Sequence, residues 1–392
     1  ALQPDGNIIV VGSFSKYNGV NANKIARVTP NGNLDTTFIT GSGASATVEE
    51  VQIQLDGKII LSGSFDSFNG ALNTVKIVRL NVGGDVDATF VSGTGFDATI
   101  TALELQTDGK ILVGGAFTTY NGASANRIVR LNTDGSVDAG FISGSGFSNG
   151  GVTVIKTNAL GEIMVGGSFT GTYNGIDVNR LVLLNPNGIL SPNFDIGTGP
   201  ASATVYDLAL DSDVSWYIGG SFSVFDSQNQ GRLAKIDAFG VLDVGYLTAG
   251  VGFDNSVLKV LSLSDSKTMA FGSFTKFNGA SSLRIARLLV DGTLDATFNT
   301  LGSGADGIIR NAIIQSDNKM VLVGSFKNYN GVSANRIIRI LEDGSIDPSF
   351  IVGTGANNQI YAIALQLDGK IIIGGNFTNY NGTLVNRITR LL

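Results

Sequence analysis

The 392-residue chain contains neither cysteine nor histidine. Without a thiol it has no disulfide, no thiolate metal site and no sulfur nucleophile. Without imidazole, Ser-His-Asp and Cys-His catalysis and histidine-liganded zinc are excluded. Charge is sparse: 15% of residues are Asp, Glu, Lys or Arg, and the net charge is −6. Nucleic-acid affinity rests on clustered cations that neutralise phosphates, so the balance predicts no nucleic-acid partner. No run of 18 apolar residues occurs, which predicts no membrane insertion by a helix. No basic-then-apolar leader is present, and Ala1 falls in the middle of the pattern described below, so the sequence reads as an excerpt or a processed product.

Glycine is what the chain has in quantity: 53 residues against 6 prolines, in a sequence that is 43% hydrophobic. Such a chain buries a core but is cut by turns. The glycines are also periodic. Gly-x-Phe recurs about every 52 residues, at Phe14, Phe65, Phe117, Phe169, Phe222, Phe274, Phe326 and Phe377. Nine positions before each Phe stands Asp5, Asp56, Asp108, Leu160, Asp213, Asp265, Asp317 or Asp368, mostly followed by Gly. This is a hairpin turn. The stretch after it, such as Lys110 to Gly115, is apolar on consecutive residues, as in a strand covered on both faces.

Beyond the Phe comes an aromatic-Asn-Gly turn, as in Tyr120-Asn121-Gly122, degraded only at Phe225-Asp226-Ser227. A third strand follows, for example Asn126 to Leu131, then a second Gly turn (Gly135), an Asp-x-x-Phe segment (Asp138 to Phe141) and a Gly-x-Gly link such as Gly93-Thr94-Gly95. Three strands and a short fourth element without a helical period match a propeller blade. The fold class is therefore all-β, a single β-propeller of eight tandem repeats over residues 1–392, with seven blades plus an overhanging unit as the alternative. The repeats run approximately 1–46, 47–98, 99–150, 151–202, 203–254, 255–306, 307–357 and 358–392.

The copies of the repeat serve as an internal comparison. Eight residues before the Asp of Asp-x-x-Phe stands a basic residue: Arg27 for Asp35, Arg79 for Asp87, Arg130 for Asp138, Lys235 for Asp243, Arg287 for Asp295 and Arg339 for Asp347. In the fourth repeat these positions are Leu183 and Ser191, so both charges vanish together. Joint loss is what a partly buried ion pair demands, since a lone buried charge is costly. Six structural pairs are expected, tying the third strand to the following turn. A second basic residue precedes each by three: Lys24, Lys76, Arg127, Arg180, Arg232, Arg284, Arg336 and Arg387. It reads as a packing device whose stem lies on apolar surface and whose head meets backbone carbonyls.

The run Gly-Gly-x-Phe, Tyr-Asn-Gly, Asn-Arg-Ile-x-Arg-Leu, Asn-x-Asp-Gly-Ser and Asp-x-x-Phe resembles the delta-sixty repeat of bacterial and bacteriophage proteins, over essentially the whole chain. The Gly-Gly-x-Phe and Asn-Arg-Ile portion is also similar to the repeats of fungal cortical polarity-marker proteins. The resemblance implies a propeller in an extracellular, cell-surface or virion setting and brings no catalytic motif. The fifth repeat departs most, at Asp226, Ser227, Lys235, Phe239 and Tyr246.

These features predict a noncatalytic binding or structural module, of the surface-adhesion or phage-tail type. A glycan or protein ligand is expected on the variable-loop face. Neighbouring domains of a longer chain or tail proteins are the other expected partners. Sequence differs between repeats after Asn-Gly and after Gly-x-Gly, and variable loops on a rigid frame carry specificity. The candidate binding residues there are Asn73, Thr74, Ser148, Asn149, Gln228, Asn229, Gln230, Asn357 and Asn358. No cofactor is expected and no metal: one Asp per turn lacks the dense oxygen ligands of a calcium loop, and turn propensity accounts for it. Trp216 reads as core filling. The alternatives are a carboxylate-dependent polysaccharide-degrading enzyme, opposed by the scatter of Glu49, Glu50, Glu104, Glu162 and Glu342, and an architectural spacer in a longer repetitive chain.

Overall fold

The computed structural model describes every residue except 72–74, 213, 248–249, 367, 386 and 392. Among the described residues there is no helix, and none could cross a membrane as one. The third repeat shows the unit. Its strands Ile100–Leu105, Ile111–Gly115 and Ile128–Leu131 form an antiparallel meander in which Leu103 pairs with Val113 and Val113 with Val129. The second strand is buried along its whole length, as its unbroken apolar run requires. The fourth element is reduced to a single antiparallel bridge, Leu131 to Val137, and the same bridge recurs from Val28 to Leu34 through Ile340 to Ile346.

Two details differ from the sequence expectation. The third strand begins at Ile128 rather than Asn126, because Arg127 adopts a left-handed backbone (φ 68°). Its amide donates to Phe117 O (2.8 Å) and its carbonyl accepts from Gly115 (3.0 Å), a bulge that turns the chain into the aromatic-Asn-Gly hairpin. Gly115 is obligatory on its own account: a β-carbon there would lie 2.2 Å from Thr99 O. In the fourth repeat one extra residue, between Phe169 and Tyr173, lets the second strand run on through the hairpin as Ile163–Tyr173, paired with Ile176–Leu184.

The chain forms two compact units, Ala1–Pro192 and Asn193–Leu392. In the first, the first strands of successive repeats (Val48–Ile53, Ile100–Leu105, Val152–Thr157) are neighbours. In the second, Val205–Leu210, Val257–Ser262, Ile309–Ile314 and Ile360–Leu365 are arranged likewise. The core lies between repeats: Ile60, Ile77 and Phe96 pack with Val113, Phe117 and Tyr120 of the next. Phe96 sits 4.5 Å, centroid to centroid, from both Phe117 and Tyr120. No repeat covers its own apolar face, so stability comes from stacking neighbours.

Candidate functional site

The invariant polar residues are engaged inside the frame. Arg27, Arg79 and Arg130 each place Nε 2.7 Å from Oδ2 of Asp35, Asp87 and Asp138. Arg287 with Asp295 and Arg339 with Asp347 do so at 2.8 Å. The guanidinium also covers the Phe of the same Asp-x-x-Phe, Arg130 lying 4.9 Å from the Phe141 centroid. It then reaches the next repeat's Gly turn: Arg27 Nη1 donates to Val82 O at 2.6 Å. In the fifth repeat the Asp243 amide donates to Lys235 O (2.9 Å), and the buried Lys235 ammonium lies 5.5 Å from the Tyr217 centroid. The fourth repeat keeps the same turn, Ser191 donating to Leu183 O at 2.9 Å.

A third member of the pair escaped sequence reasoning. The lysine after the first Asp-Gly turn reaches the same carboxylate: Lys58 to Asp87 (2.9 Å), Lys110 to Asp138 (3.1 Å), Lys319 to Asp347 (3.3 Å) and Lys267 to Asp295 (3.7 Å). The signal was present, because the fourth repeat carries Glu162 at this position, so all three charges change at once. Burial opposes ionisation of Asp87, but the Thr89 hydroxyl and amide, Lys58 and Arg79 outweigh it and hold the carboxyl well below its usual range.

The second basic residue is left-handed in all eight repeats, with φ between 61° for Arg180 and 77° for Arg336. Arg127 Nε donates to Gly150 O (2.7 Å) and its Nη1 to Phe147 O (2.6 Å), while Arg336 Nη1 donates to Ala356 O (2.9 Å). Lys76 instead pairs with Asp66.

The aromatic-Asn-Gly hairpin clasps the link arriving from the preceding repeat. Asn121 Oδ1 accepts from the Thr94 amide (3.1 Å), and its own amide donates to Gly95 O (2.8 Å). Asp226 does the same with Thr198 (3.0 Å) and Gly199 (3.1 Å). The hairpin aromatics Phe68, Tyr120, Tyr173, Phe225, Phe277 and Tyr329 are almost completely buried, which removes them from ligand contact, while Tyr17 is half-buried. The buried Trp216 joins them as core. One recurrent position went unread: the second residue after the link's last Gly caps the next hairpin. Asp97 Oδ1 accepts from Thr118 (2.8 Å) and Thr119 (3.0 Å), and Asp254 and Asp306 repeat this.

Two of the candidate loop residues occupy that capping position. Ser148 Oγ accepts from the Thr172 amide (2.8 Å), and Asn357 Oδ1 accepts from Thr378 (2.8 Å) and Asn379 (3.1 Å). Asn149 and Asn358 are exposed and accept from the amides that follow them. Gln228 and Asn229 form an exposed hairpin strand, whereas Gln230 is buried. Asn73, Thr74 and the turn residue Asp213 lie outside the described residues. The first-turn aspartates close Asx turns, as Asp56 Oδ1 does on the Lys58 amide (3.1 Å) and Asp108 on Lys110 (3.1 Å). Among the described residues no cluster of three carboxylates forms a metal site.

The first strands carry chemistry that breaks the repeat. The glutamates are less scattered than their spacing implied, since neighbouring first strands bring Glu50, Glu104 and Lys156 together, Lys156 Nζ lying 3.8 Å from Glu104 Oε2. Burial pushes the Glu50 carboxyl up to about 7 against the pull of Lys156, with Glu104 and Glu49 adding to the rise. In the second unit the buried Asp207 accepts from the Val260 amide (2.9 Å) and pairs with Lys259 (3.1 Å). The residue following the first Val or Ile of this strand is Glu49, Thr101, Thr153, Tyr206, Leu258, Arg310 or Tyr361. Tyr206 and Tyr361 are 38% and 42% exposed. The Arg310 guanidinium lies 5.4 Å from the Tyr361 centroid, and Asn376 Nδ2 donates to the Tyr361 hydroxyl at 3.0 Å.

Eight stretches, residues 3–38, 54–90, 106–141, 161–194, 213–246, 263–298, 315–350 and 366–392, match the profile of a β-propeller family described as a domain of unknown function, DUF5122. The chain belongs to this β-propeller family. No curated protein matches it. Among solved structures it is similar to the C-terminal WD40 domain of Sif2 (11% identity, 83% of this chain and 78% of that one, TM-score 0.50). It is also similar to a streptogramin B lyase (14% identity, 98% and 97%, TM-score 0.45) and to the WD40 β-propeller domain of Doa1 (13%, 90% and 96%, TM-score 0.47). At these identities the likeness concerns fold alone.

Proposed function

We propose that this chain is a noncatalytic binding module of an extracellular, cell-surface or virion protein, of the delta-sixty repeat kind, with a glycan or protein as ligand. One observation carries the reading. The repeat-invariant polar groups are consumed within and between repeats, whereas the residue after the first Val or Ile of the first strand changes from repeat to repeat and includes exposed Tyr206, Arg310 and Tyr361. Half-exposed aromatic rings beside a multivalent donor suit sugar rings and peptides. Glycan and peptide arrays probed with the whole chain, then with the Arg310→Ala/Tyr361→Ala double variant, test it. Saturable binding that falls about tenfold or more in the variant, at unchanged melting temperature, is expected; binding that survives the double change overturns this site.

A second reading has its own observation. Glu50, with a carboxyl near 7 beside Glu104, has the protonation of a general acid, as a polysaccharide-degrading enzyme requires. Release of reducing or unsaturated ends from polysaccharide, abolished by Glu50→Gln, would replace the binding-module reading with this one.

A further inference from the structure

The sequence holds ten Asn-Gly pairs, the dipeptide in which an asparagine side chain is most open to attack by the amide nitrogen that follows it. Glycine has no side chain to shield that nitrogen. In six of the pairs the fold draws the asparagine away from its glycine. These are the hairpin residues Asn69, Asn121, Asn174, Asn278, Asn330 and Asn381, whose Oδ1 accepts a backbone amide of the incoming link, as from Ser42 (3.0 Å) or Gly252 (2.7 Å). Asn187 Oδ1 accepts from the Ile189 amide instead (3.2 Å).

Asn149 is placed differently. The Gly150 amide donates to Oδ1 of Asn149 itself at 2.6 Å, and among the described residues no other glycine of the ten does so. The contact brings the side-chain carbonyl up to the nitrogen, the arrangement from which ring closure starts. Among the described residues this amide has no main-chain acceptor, so ring closure breaks no bond of the frame. Asn149 is exposed, which admits the water that the reaction consumes and the base that takes the amide proton. The same position in two other repeats supplies a natural control. There Ser256 donates to Asn255 (2.7 Å) and Gln359 to Asn358 (2.8 Å), both asparagines exposed, but in each a side chain flanks the nitrogen.

We propose that Asn149 is a site of spontaneous modification, converted to aspartate and isoaspartate by its own following peptide group. The Gly150 nitrogen gives its proton to hydroxide and bonds to Asn149 Cγ, closing a five-membered succinimide. The Cγ–Nδ2 bond breaks, and the nitrogen takes up a proton and leaves as ammonia. Water then opens the ring. Cleavage of the new N–Cγ bond gives aspartate, and cleavage at the Asn149 main-chain carbonyl gives isoaspartate, with the peptide running through Cγ. Either product sets a carboxylate on this variable loop close to Arg127, whose Nε and Nη1 donate to Gly150 O (2.7 Å) and Phe147 O (2.6 Å). Isoaspartate also lengthens the backbone by one methylene just before the carbonyl that Arg127 holds. The loop thus turns from neutral to anionic with age and without an enzyme. The site is independent of the ligand surface around Arg310 and Tyr361.

The test incubates the whole folded chain at mildly alkaline pH. Peptide mapping by mass spectrometry, with electron-transfer fragmentation to separate aspartate from isoaspartate, follows every asparagine named above. Conversion at Asn149 is expected to outpace that at the six clasped hairpin asparagines, and at Asn255 and Asn358, about tenfold or more. In denaturant its lead over the other Asn-Gly pairs should vanish, because only the dipeptide then remains to set the rate. Asn149→Gln should abolish the product at this position, since ring closure would need a sixth atom. Equal conversion of the Asn-Gly pairs in the folded chain, or conversion at Asn149 no faster than at Asn255, overturns the proposal. A lead over the other Asn-Gly pairs that persists undiminished in denaturant would place the cause in the sequence rather than the fold and would equally overturn it.

Discussion

Gly93 and Asn121 approach so closely that a β-carbon on the glycine would lie 1.8 Å from the asparagine Oδ1. The contact joins the link leaving one repeat to the hairpin of the next, and Gly144 with Asn174 and Gly353 with Asn381 reproduce it at 2.0 and 2.1 Å. Asn at this hairpin position is therefore a clasp for its neighbour as well as a turn former.

Replacing Gly93 by Ala meets both a left-handed backbone (φ 57°) and that clash, whereas Gly122→Ala meets only a left-handed backbone (φ 74°) with open space around it. Gly122→Ala should cost about 1 to 2 kcal/mol. Gly93→Ala should cost a further 1 to 3 kcal/mol or so for overpacking. Equal losses in denaturant unfolding would show that the clasp yields freely.

Arg130→Leu leaves Asp138 with Lys110 as its one cation, and Asp138→Ser leaves Arg130 without its carboxylate and Lys110 with Asp108 alone. Each single change should destabilise by about 1 to 4 kcal/mol. The triple variant Lys110→Glu/Arg130→Leu/Asp138→Ser copies the fourth repeat's Glu162, Leu183 and Ser191. It should cost clearly less than the summed singles, with a coupling of about 0.5 to 3 kcal/mol per contacting pair. Additive losses would mean that the fourth repeat lost its charges by coincidence.

The depressed carboxyls of Asp87, Asp138, Asp295 and Asp347 set the acid limb of stability. Their folded values lie below the unfolded value of about 3.9, so the stability they contribute is present above that pH and lost as pH falls beneath it. Denaturant midpoints should fall steeply below about pH 4, and more shallowly in Asp138→Ser. Parallel acid limbs for variant and wild type would remove Asp138 from the account.

Glu50 acts in the opposite direction. Its folded value of about 7 lies above the unfolded value, so the stability of the neutral carboxyl is complete at acid pH and lost as pH rises through about 7. Glu50→Gln should leave the melting temperature near pH 5 almost unchanged and raise it at pH 8. A variant that is less stable at pH 8 would mean that ionised Glu50 is held by Lys156 rather than opposed by burial.

Repeat-borne features were legible because each copy reports on the others. Arg130 and Asp138 disclosed themselves when Leu183 and Ser191 replaced both at once, and Gly115 stood out because no side chain fits beside Thr99 O. The left-handed backbone of Arg127 was hidden, since a basic residue in that conformation carries no glycine or asparagine signature. The meeting of Glu50 with Glu104 was hidden for another reason. It depends on two first strands lying side by side, a relation between repeats that no position within one repeat encodes. The capping role of Asp97 lay in plain view but its position varies among Asp, Ser, Asn and, at Ala201, Ala, which masked it among ordinary turn residues.

Because Phe38 rests on Gly84 and the Arg27 head on Val82 O, a repeat finishes packing only against the one made after it. During synthesis each newly emerged unit therefore completes its predecessor, while its own Phe waits for the next Gly turn. At about 5 to 20 residues per second that wait is roughly 3 to 10 seconds. The growing polypeptide thus exposes a single unsealed seam, which travels with the ribosome toward the C-terminus.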